Sequence, residues 1–196
     1  MKRLSLLLIL FFALALSSFV APSATAQAGE QEEHSDQTIK LRGTDGRTYD
    51  LAQMRGHVIL VSFGATWCQP CKEELRALEQ MKDEYKDKPV KFFWVSIEPE
   101  EEVSDGKLQS FARSIKFSFP ILRDTTRWTY AQFSTRQRIP LVVFFDKQGR
   151  FVAPAHAGMS TPDAYKKKMR GVLDRLLADQ TTASRSAEGQ SLRSSN

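Results

Sequence analysis

The sequence predicts an α/β domain built on a central mixed β-sheet that is flanked by helices. Three short runs of apolar and β-branched residues have the length and composition of buried strands, and segments with helical spacing separate them. The chain then closes with a β-hairpin and one more helix, an order typical of a mixed sheet covered on both faces. The three buried strands are expected at residues 58–63, 90–97 and 141–145.

Each remaining element has a local signal. A GTDG turn between two short extended segments predicts a β-hairpin over residues 38–51. Apolar residues at helical spacing predict helices over residues 68–86 and 104–115. Thr161 as N-cap and Pro162 at the first helical position predict a helix that runs to residue 178. We also expect an extended segment at residues 119–122, a weaker helix at 125–133, and a strand at 150–157 that pairs with the third buried strand.

The N-terminal segment has the pattern of a secretory signal peptide, predicted over residues 1–26. Lys2 and Arg3 precede an apolar stretch, and the ATA at residues 24–26 provides a small-x-small cleavage site. The alternative is an uncleaved membrane anchor, for which the apolar stretch at residues 4–20 is of marginal length. We expect cleavage and therefore a periplasmic protein.

Composition limits the classes of protein that remain. The 28 Lys and Arg residues against 23 Asp and Glu are too balanced for a nucleic-acid-binding arm, so no nucleic-acid partner is expected. Two cysteines can form neither a disulfide-dense mini-protein nor a four-thiolate zinc site. We predict one domain at residues 38–178, between a flexible leader at 27–37 and a disordered tail at 179–196.

The chain's two thiols, Cys68 and Cys71, lie directly after a buried strand, where a helix is expected to begin. Their spacing brings the two sulfurs within reach of a disulfide bond. A thiol at a helix N-terminus has a lowered pKa because the unpaired N–H groups stabilise the thiolate, which is the species that attacks disulfides. We therefore expect Cys68, the more exposed of the two, to attack the substrate and Cys71 to resolve the mixed disulfide.

Two alternatives to redox chemistry are a structural disulfide and half of a metal site. A disulfide that closes so small a loop restrains the unfolded chain little, so it would stabilise the fold poorly. For a metal site, His34, His57 and His156 are scattered, and none has ligand spacing from the cysteines. We expect neither a metal nor a cofactor.

The residues around the cysteines carry a family resemblance. The run VILVSFGATWCQPCKEE (residues 58–74) resembles the active-site strand and helix of the thioredoxin superfamily. The export signal and the layout resemble its TlpA/ResA branch of periplasmic thiol–disulfide oxidoreductases, over about residues 39–178. The resemblance implies a thioredoxin-like fold with an N-terminal β-hairpin and a β/α insertion at residues 96–136.

The resemblance also implies a substrate-binding loop. The sequence RIPL at residues 138–141 resembles the family's loop with a cis-proline that faces the dithiol. It implies a cis bond between Ile139 and Pro140, with the neighbouring backbone pairing with the substrate chain; the alternative is an ordinary trans proline. The resemblance implies that Trp67 packs over the site. The alternative interpretation is that Trp67 is an ordinary aromatic residue of the core.

A carboxylate near Cys71 is a further implication. One family position for it lies on the central strand, where this chain has Ser62, and the other is Glu74. A partly apolar pocket would raise the pKa of Glu74, which could then move the proton of Cys71. The alternative is a solvated helix glutamate, like the neighbouring Glu73.

Two departures from the family pattern bear on function. Gly64 stands where many thioredoxins have a tryptophan, which predicts a wider pocket. The pair Gln69 and Pro70 places no histidine between the cysteines, which favours a reductant.

The resulting hypothesis is an exported, monomeric reductase of disulfides in other exported proteins, supplied with electrons by a membrane thiol-transfer protein. Family members act on apocytochromes c, on copper-centre assembly proteins or on periplasmic disulfides in general. One alternative is a thiol peroxidase, but its Pro-x-x-x-Thr-x-x-Cys pattern is absent, although Thr66 lies two residues before Cys68. The other alternative is a copper-handling protein.

Overall fold

The fold is organised by a six-stranded mixed β-sheet, in a computed structural model that describes residues 34–35 and 38–193. The predicted signal peptide, residues 1–26, lies outside the described residues. The strands in chain order are β1 (His34–Ser35), β2 (Lys40–Arg42), β3 (Thr48–Asp50), β4 (Val58–Gly64), β5 (Val90–Ser96), β6 (Ile121–Arg123), β7 (Leu141–Phe145) and β8 (Phe151–Ala157). The order across the sheet is β1-β8-β7-β4-β5-β6, and β2 pairs with β3 in a separate hairpin.

The helices are α1 (Gln69–Glu84), α2 (Asp105–Ile115), α3 (Trp128–Ala131) and α4 (Pro162–Arg193), and a 3₁₀ turn covers Leu51–Gln53. Together with the sheet order, these elements confirm the predicted mixed α/β architecture with an N-terminal hairpin. No helix of the described residues has the length and apolar character needed to cross a bilayer.

Strand β4 lies at the centre of the sheet and ends at the active-site loop. It pairs parallel with β5 and antiparallel with β7, and all seven of its residues are buried. Burial on both faces explains why this strand is a continuous apolar run in the sequence. Alternate residues face opposite sides, so Leu60 joins one core cluster and Val61 joins the other.

The two faces of the sheet are covered differently. Helices α1, α2 and α4 share one core cluster, to which they contribute Leu75, Leu108 and Leu173. The second cluster contains Leu51 from the 3₁₀ turn after the hairpin and Tyr130 from α3. Because α1 and α4 pack on the same face, a residue near the start of α4 can reach the helix that carries the cysteines.

The predicted insertion is present between β5 and β7. It consists of α2, β6 and α3, and β6 extends the sheet by pairing parallel with β5. The observed bounds lie within a few residues of the predicted helix at 104–115, extended segment at 119–122 and helix at 125–133.

Two predicted boundaries need correction. The leader predicted as flexible contains β1, whose two residues pair antiparallel with Val152 and Phe151 and so cover the first part of the edge of β8. The last helix continues to Arg193, whereas the sequence favoured an end at residue 178 and a disordered tail. Residues 179–193 contain no proline, and each residue added to an existing helix gains one hydrogen bond.

Candidate active site

The two cysteines lie where the sequence places them, at the N-terminus of α1. Cys68 is the N-cap of the helix, and a disulfide joins it to Cys71 with 5.3 Å between the Cα atoms. The Cys68 Sγ accepts the Cys71 N–H at 3.2 Å. The same N–H can stabilise a Cys68 thiolate once the pair is reduced, because it points at the sulfur from the positive end of the helix.

Access to the sulfurs is more restricted than expected. Cys68 is 5% exposed and Cys71 is 0% exposed, so Cys68 is the more exposed of the two, as predicted, although both are buried. The Cys68 sulfur is bonded to Cys71, and both pack with Ala65 against the half-buried Ile139.

The loop before β7 borders the dithiol. The Ile139–Pro140 peptide bond is cis, as the family resemblance implies, and the Ala153–Pro154 bond is also cis, which nothing in the sequence indicated. The Pro140 carbonyl accepts the Gly158 N–H at 2.8 Å, which ties the loop to the residue after β8. Pro140 is buried, and Leu141 begins β7 directly after it.

Trp67 forms one wall of a cleft beside the disulfide. Its side chain is 62% exposed, so the alternative of a plain core aromatic is wrong. The cleft has a volume of about 540 Å³. Its other lining residues are Gln137, Arg138, Ile139, Ala157 and Gly158.

Glu74 lies fully buried one helical turn after Cys71. Its carboxylate accepts hydrogen bonds from the Ser62 hydroxyl at 2.5 Å and from the Tyr165 hydroxyl at 2.6 Å. Burial raises the pKa of Glu74 to about 7, although both hydrogen bonds favour the ionised form and oppose the shift. The alternative of a solvated helix glutamate is therefore wrong.

The space beside Gly64 is occupied. A Cβ atom at Gly64 would lie 2.8 Å from Trp94 Nε1 and 3.2 Å from Cys71 Sγ. The expectation that Gly64 leaves a wider pocket is therefore wrong, because the indole of Trp94 on β5 fills that position. The buried Trp94 Nε1–H has no hydrogen-bond partner among residues 34–35 and 38–193.

The loop that joins β4 to Cys68 is held by Glu98. The Thr66 N–H and hydroxyl donate to the two Glu98 carboxylate oxygens at 2.8 and 2.7 Å, and the Ser96 hydroxyl adds a third hydrogen bond at 3.2 Å. Glu98 is buried. The hydroxyl of Thr66, the threonine considered for the peroxidase alternative, thus donates to the Glu98 carboxylate.

Comparisons with known proteins identify the family of this chain. The profile of the AhpC/TSA family matches residues 31–153. The chain belongs to this family. Its relatives include the thioredoxin-like protein YneN of Bacillus subtilis, 30% identical over 150 residues that cover 76% of this chain and 82% of the relative. Thiol–disulfide oxidoreductase ResA of Halalkalibacterium halodurans is 29% identical over 162 residues, which cover 81% of this chain and 86% of ResA.

A solved structure supports the fold assignment. A thiol:disulfide interchange protein of the thioredoxin family from Chlorobium tepidum superposes with a TM-score of 0.59 at 17% identity, covering 73% of this chain and 97% of that one. The family profile and the ResA relatives identify the chain as a thiol–disulfide oxidoreductase of the thioredoxin superfamily with a Cys-X-X-Cys pair, and the fold agrees.

No group of three or more His, Cys, Asp or Glu side chains in the described part of the chain is close enough to hold a metal ion.

Three residues of the site were missed by sequence reasoning. Glu98 had a usable signal, because it follows β5 while Thr66 follows the parallel neighbour β4, and such strands end at the same edge of the sheet. Tyr165 had no such signal, because 91 residues separate it from Glu74 in the chain. Trp94 had no such signal either, because only the register of β5 on β4 brings it to the cysteines.

Proposed function

We propose that the protein reduces disulfide bonds of other exported proteins in the periplasm, with Cys68 as the attacking thiol and Cys71 as the resolving thiol. The proposal depends on one observation above all: the Cys68–Cys71 disulfide begins α1 beside a cleft and the cis Pro140 loop. Residues 1–26, with the pattern of a signal peptide, support export.

The reaction starts from the reduced dithiol. The Cys68 thiolate attacks one sulfur of the substrate disulfide, the substrate S–S bond breaks, and one substrate thiolate leaves and takes up a proton. The Cys71 thiolate then attacks the Cys68 sulfur and releases the second substrate thiolate. Two electrons pass to the substrate, and the protein ends with the Cys68–Cys71 disulfide seen in the structure.

Glu74 serves the second step. Cys71 must lose its proton before it attacks, and Glu74 is the buried carboxylate one helical turn away. A pKa of about 7 allows this carboxyl group to accept and release a proton near neutral pH. Ser62 occupies the position of the family's strand carboxylate and orients Glu74 by donating to it.

The substrate lies against Trp67, Ile139 and Pro140 in this proposal. The exposed indole and the half-buried isoleucine offer apolar contacts next to Cys68, and the backbone beside Pro140 pairs with the substrate chain. The protein works as a monomer and takes electrons from a membrane thiol-transfer protein, because a reductant in an oxidising compartment needs a supply of electrons.

The reduction potential of the Cys68–Cys71 pair tests the proposal. Equilibration with dithiothreitol or glutathione buffers should give a value at or below about −250 mV, in the range of dedicated reductants. A value above about −180 mV would contradict the reducing direction. A pair with no reversible couple would mean a structural disulfide instead.

Trapping experiments test the two cysteine roles. Cys71→Ser should accumulate a mixed disulfide with a protein substrate, whereas Cys68→Ser should not. Peroxide consumption by the reduced wild type, or stoichiometric Cu(I) binding by the dithiol without disulfide exchange, would favour the thiol peroxidase or the copper-handling alternative.

A further inference from the structure

Two adjoining clefts, the first of which lies beside Trp67, form one continuous surface. The first is the cleft beside Trp67 and Ile139 described above. The second has a volume of about 370 Å³, and its lining includes Phe133 and Pro154. The two clefts share Arg138 and Ala157, so the surface leads from Trp67, the neighbour of Cys68 in the chain, along the loop before β7.

The charge on this surface has a single sign. Of the described residues that line the first cleft, only Arg138 is charged, and in the second only Arg136 and Arg138 are charged. Both side chains are exposed, and no carboxylate in the described part of the chain forms an ion pair with either of them. Other arginines, such as Arg42 and Arg170, do have carboxylate partners.

The backbone that carries the two arginines is held in place by Tyr130. Its buried hydroxyl accepts the Arg138 N–H at 2.7 Å and lies 2.9 and 3.0 Å from the carbonyl oxygens of Arg136 and Arg138. Tyr130 is itself anchored, because its N–H donates to the Asp124 carboxylate at 2.7 Å. The loop is therefore arranged before a partner arrives, which reduces the entropy lost on binding.

We propose that this surface selects its substrates by charge: it binds an extended segment that carries Asp or Glu residues within a few positions of the disulfide cysteine. The segment's carboxylates pair with Arg136 and Arg138, while its apolar parts contact Trp67 and Ile139. Guanidinium groups suit this role because they bind carboxylates in a bidentate geometry. The inference rests on the proposed disulfide-reductase function and adds a substrate class to it.

Single-turnover reduction of matched peptides tests the proposal. Each peptide carries one cysteine in a mixed disulfide with a chromogenic thiol, and the peptides differ only in having Asp, Asn or Lys at the flanking positions. The reduced wild-type protein should reduce the Asp peptide about tenfold faster than the Lys peptide at low salt, with the Asn peptide between them. The difference should shrink as salt screens the exposed charges.

Charge reversal at Arg136 and Arg138 is the decisive test. The double variant Arg136→Glu/Arg138→Glu should reverse the order, so that the Lys peptide reacts faster than the Asp peptide. The matched control is Lys86→Glu/Arg113→Glu, which changes net charge equally at two exposed residues outside both clefts. Near-ultraviolet circular dichroism confirms that both variants are folded, and the control should keep the wild-type order.

The outcomes separate the two proposals. Equal rates for all three peptides in the wild type would overturn the charge preference and leave the reductase function standing. A preference that the control abolishes as fully as the Arg136/Arg138 double variant would also overturn it, because the effect would then come from net charge. Failure of the wild-type protein to reduce any peptide would overturn the reductase function, and the charge preference with it.

Discussion

The Tyr165 hydroxyl donates a 2.6 Å hydrogen bond to the Glu74 carboxylate and so joins the last helix to the helix that carries the cysteines. Both groups are buried. The Ser62 hydroxyl donates to the other carboxylate oxygen, so strand β4 and helices α1 and α4 meet at one ionisable group. The proton affinity of Glu74 is thus set by residues that come from three separate elements.

Tyr165→Phe should raise the pKa of Glu74 above about 7, because it removes a hydrogen bond that favours the ionised carboxylate. A ¹³C NMR titration of the glutamate side chains measures this pKa directly. The matched control is Tyr85→Phe, which also removes a hydroxyl that bridges α1 and α4, but one that donates to Asp174. An unchanged or lowered pKa in Tyr165→Phe would contradict the assigned role.

Glu74→Gln should remove a pH dependence of stability. The pKa of Glu74 is raised from 4.5 to about 7 by folding, so the folded state loses stability as pH rises from the lower value through the higher one. The expected loss is about 3 kcal/mol in the wild type. Urea unfolding of the oxidised protein between pH 4 and pH 8, at roughly half-unit steps, measures it as the difference between wild type and variant.

The control for that series is Glu73→Gln, which makes the same chemical change at the exposed neighbouring residue. Glu73→Gln should show the same change in the free energy of unfolding with pH as the wild type. If Glu74→Gln also shows this change, the buried carboxyl group does not cause the pH dependence.

Glu98→Ala should destabilise the protein by about 2 kcal/mol and slow disulfide reduction, because it leaves the Thr66 N–H and hydroxyl without their acceptor. Urea unfolding and the rate of peptide-disulfide reduction measure the two effects. Glu101→Ala, at an exposed position nearby in the chain, should change neither. Loss of stability at an unaltered reduction rate would show that the Thr66 loop does not position Cys68.

The sequence predicted those features that leave a local pattern. Strand β4 is buried along its full length, and a strand buried on both faces is a continuous apolar run. Helix α1 follows from the apolar residues at helical spacing over residues 68–86. Glu74 was found through its spacing from Cys71 and a family resemblance.

Features that depend on distant pairing were not predictable in this way. The two residues of β1 are polar and form a strand only because β8 presents an open edge to them. Tyr165 carries no local signal of its contact with Glu74, and Arg138 gains its place in the cleft beside Trp67 through the turn of the chain before β7. In each case the interaction arises from how the elements pack.

Gly64→Ala should destabilise the protein by about 1–3 kcal/mol, because the added methyl group would lie 2.8 Å from Trp94 Nε1 and 3.2 Å from Cys71 Sγ. The buried indole cannot move aside without disturbing the core cluster that it shares with α1 and α2. The matched control is Gly106→Ala in α2, where an added Cβ meets nothing within 4 Å and should stabilise the helix by about 0.5–1 kcal/mol. Urea unfolding of the two oxidised variants measures both changes. A Gly64→Ala variant as stable as the wild type would mean that Trp94 does not fill the space beside the cysteines.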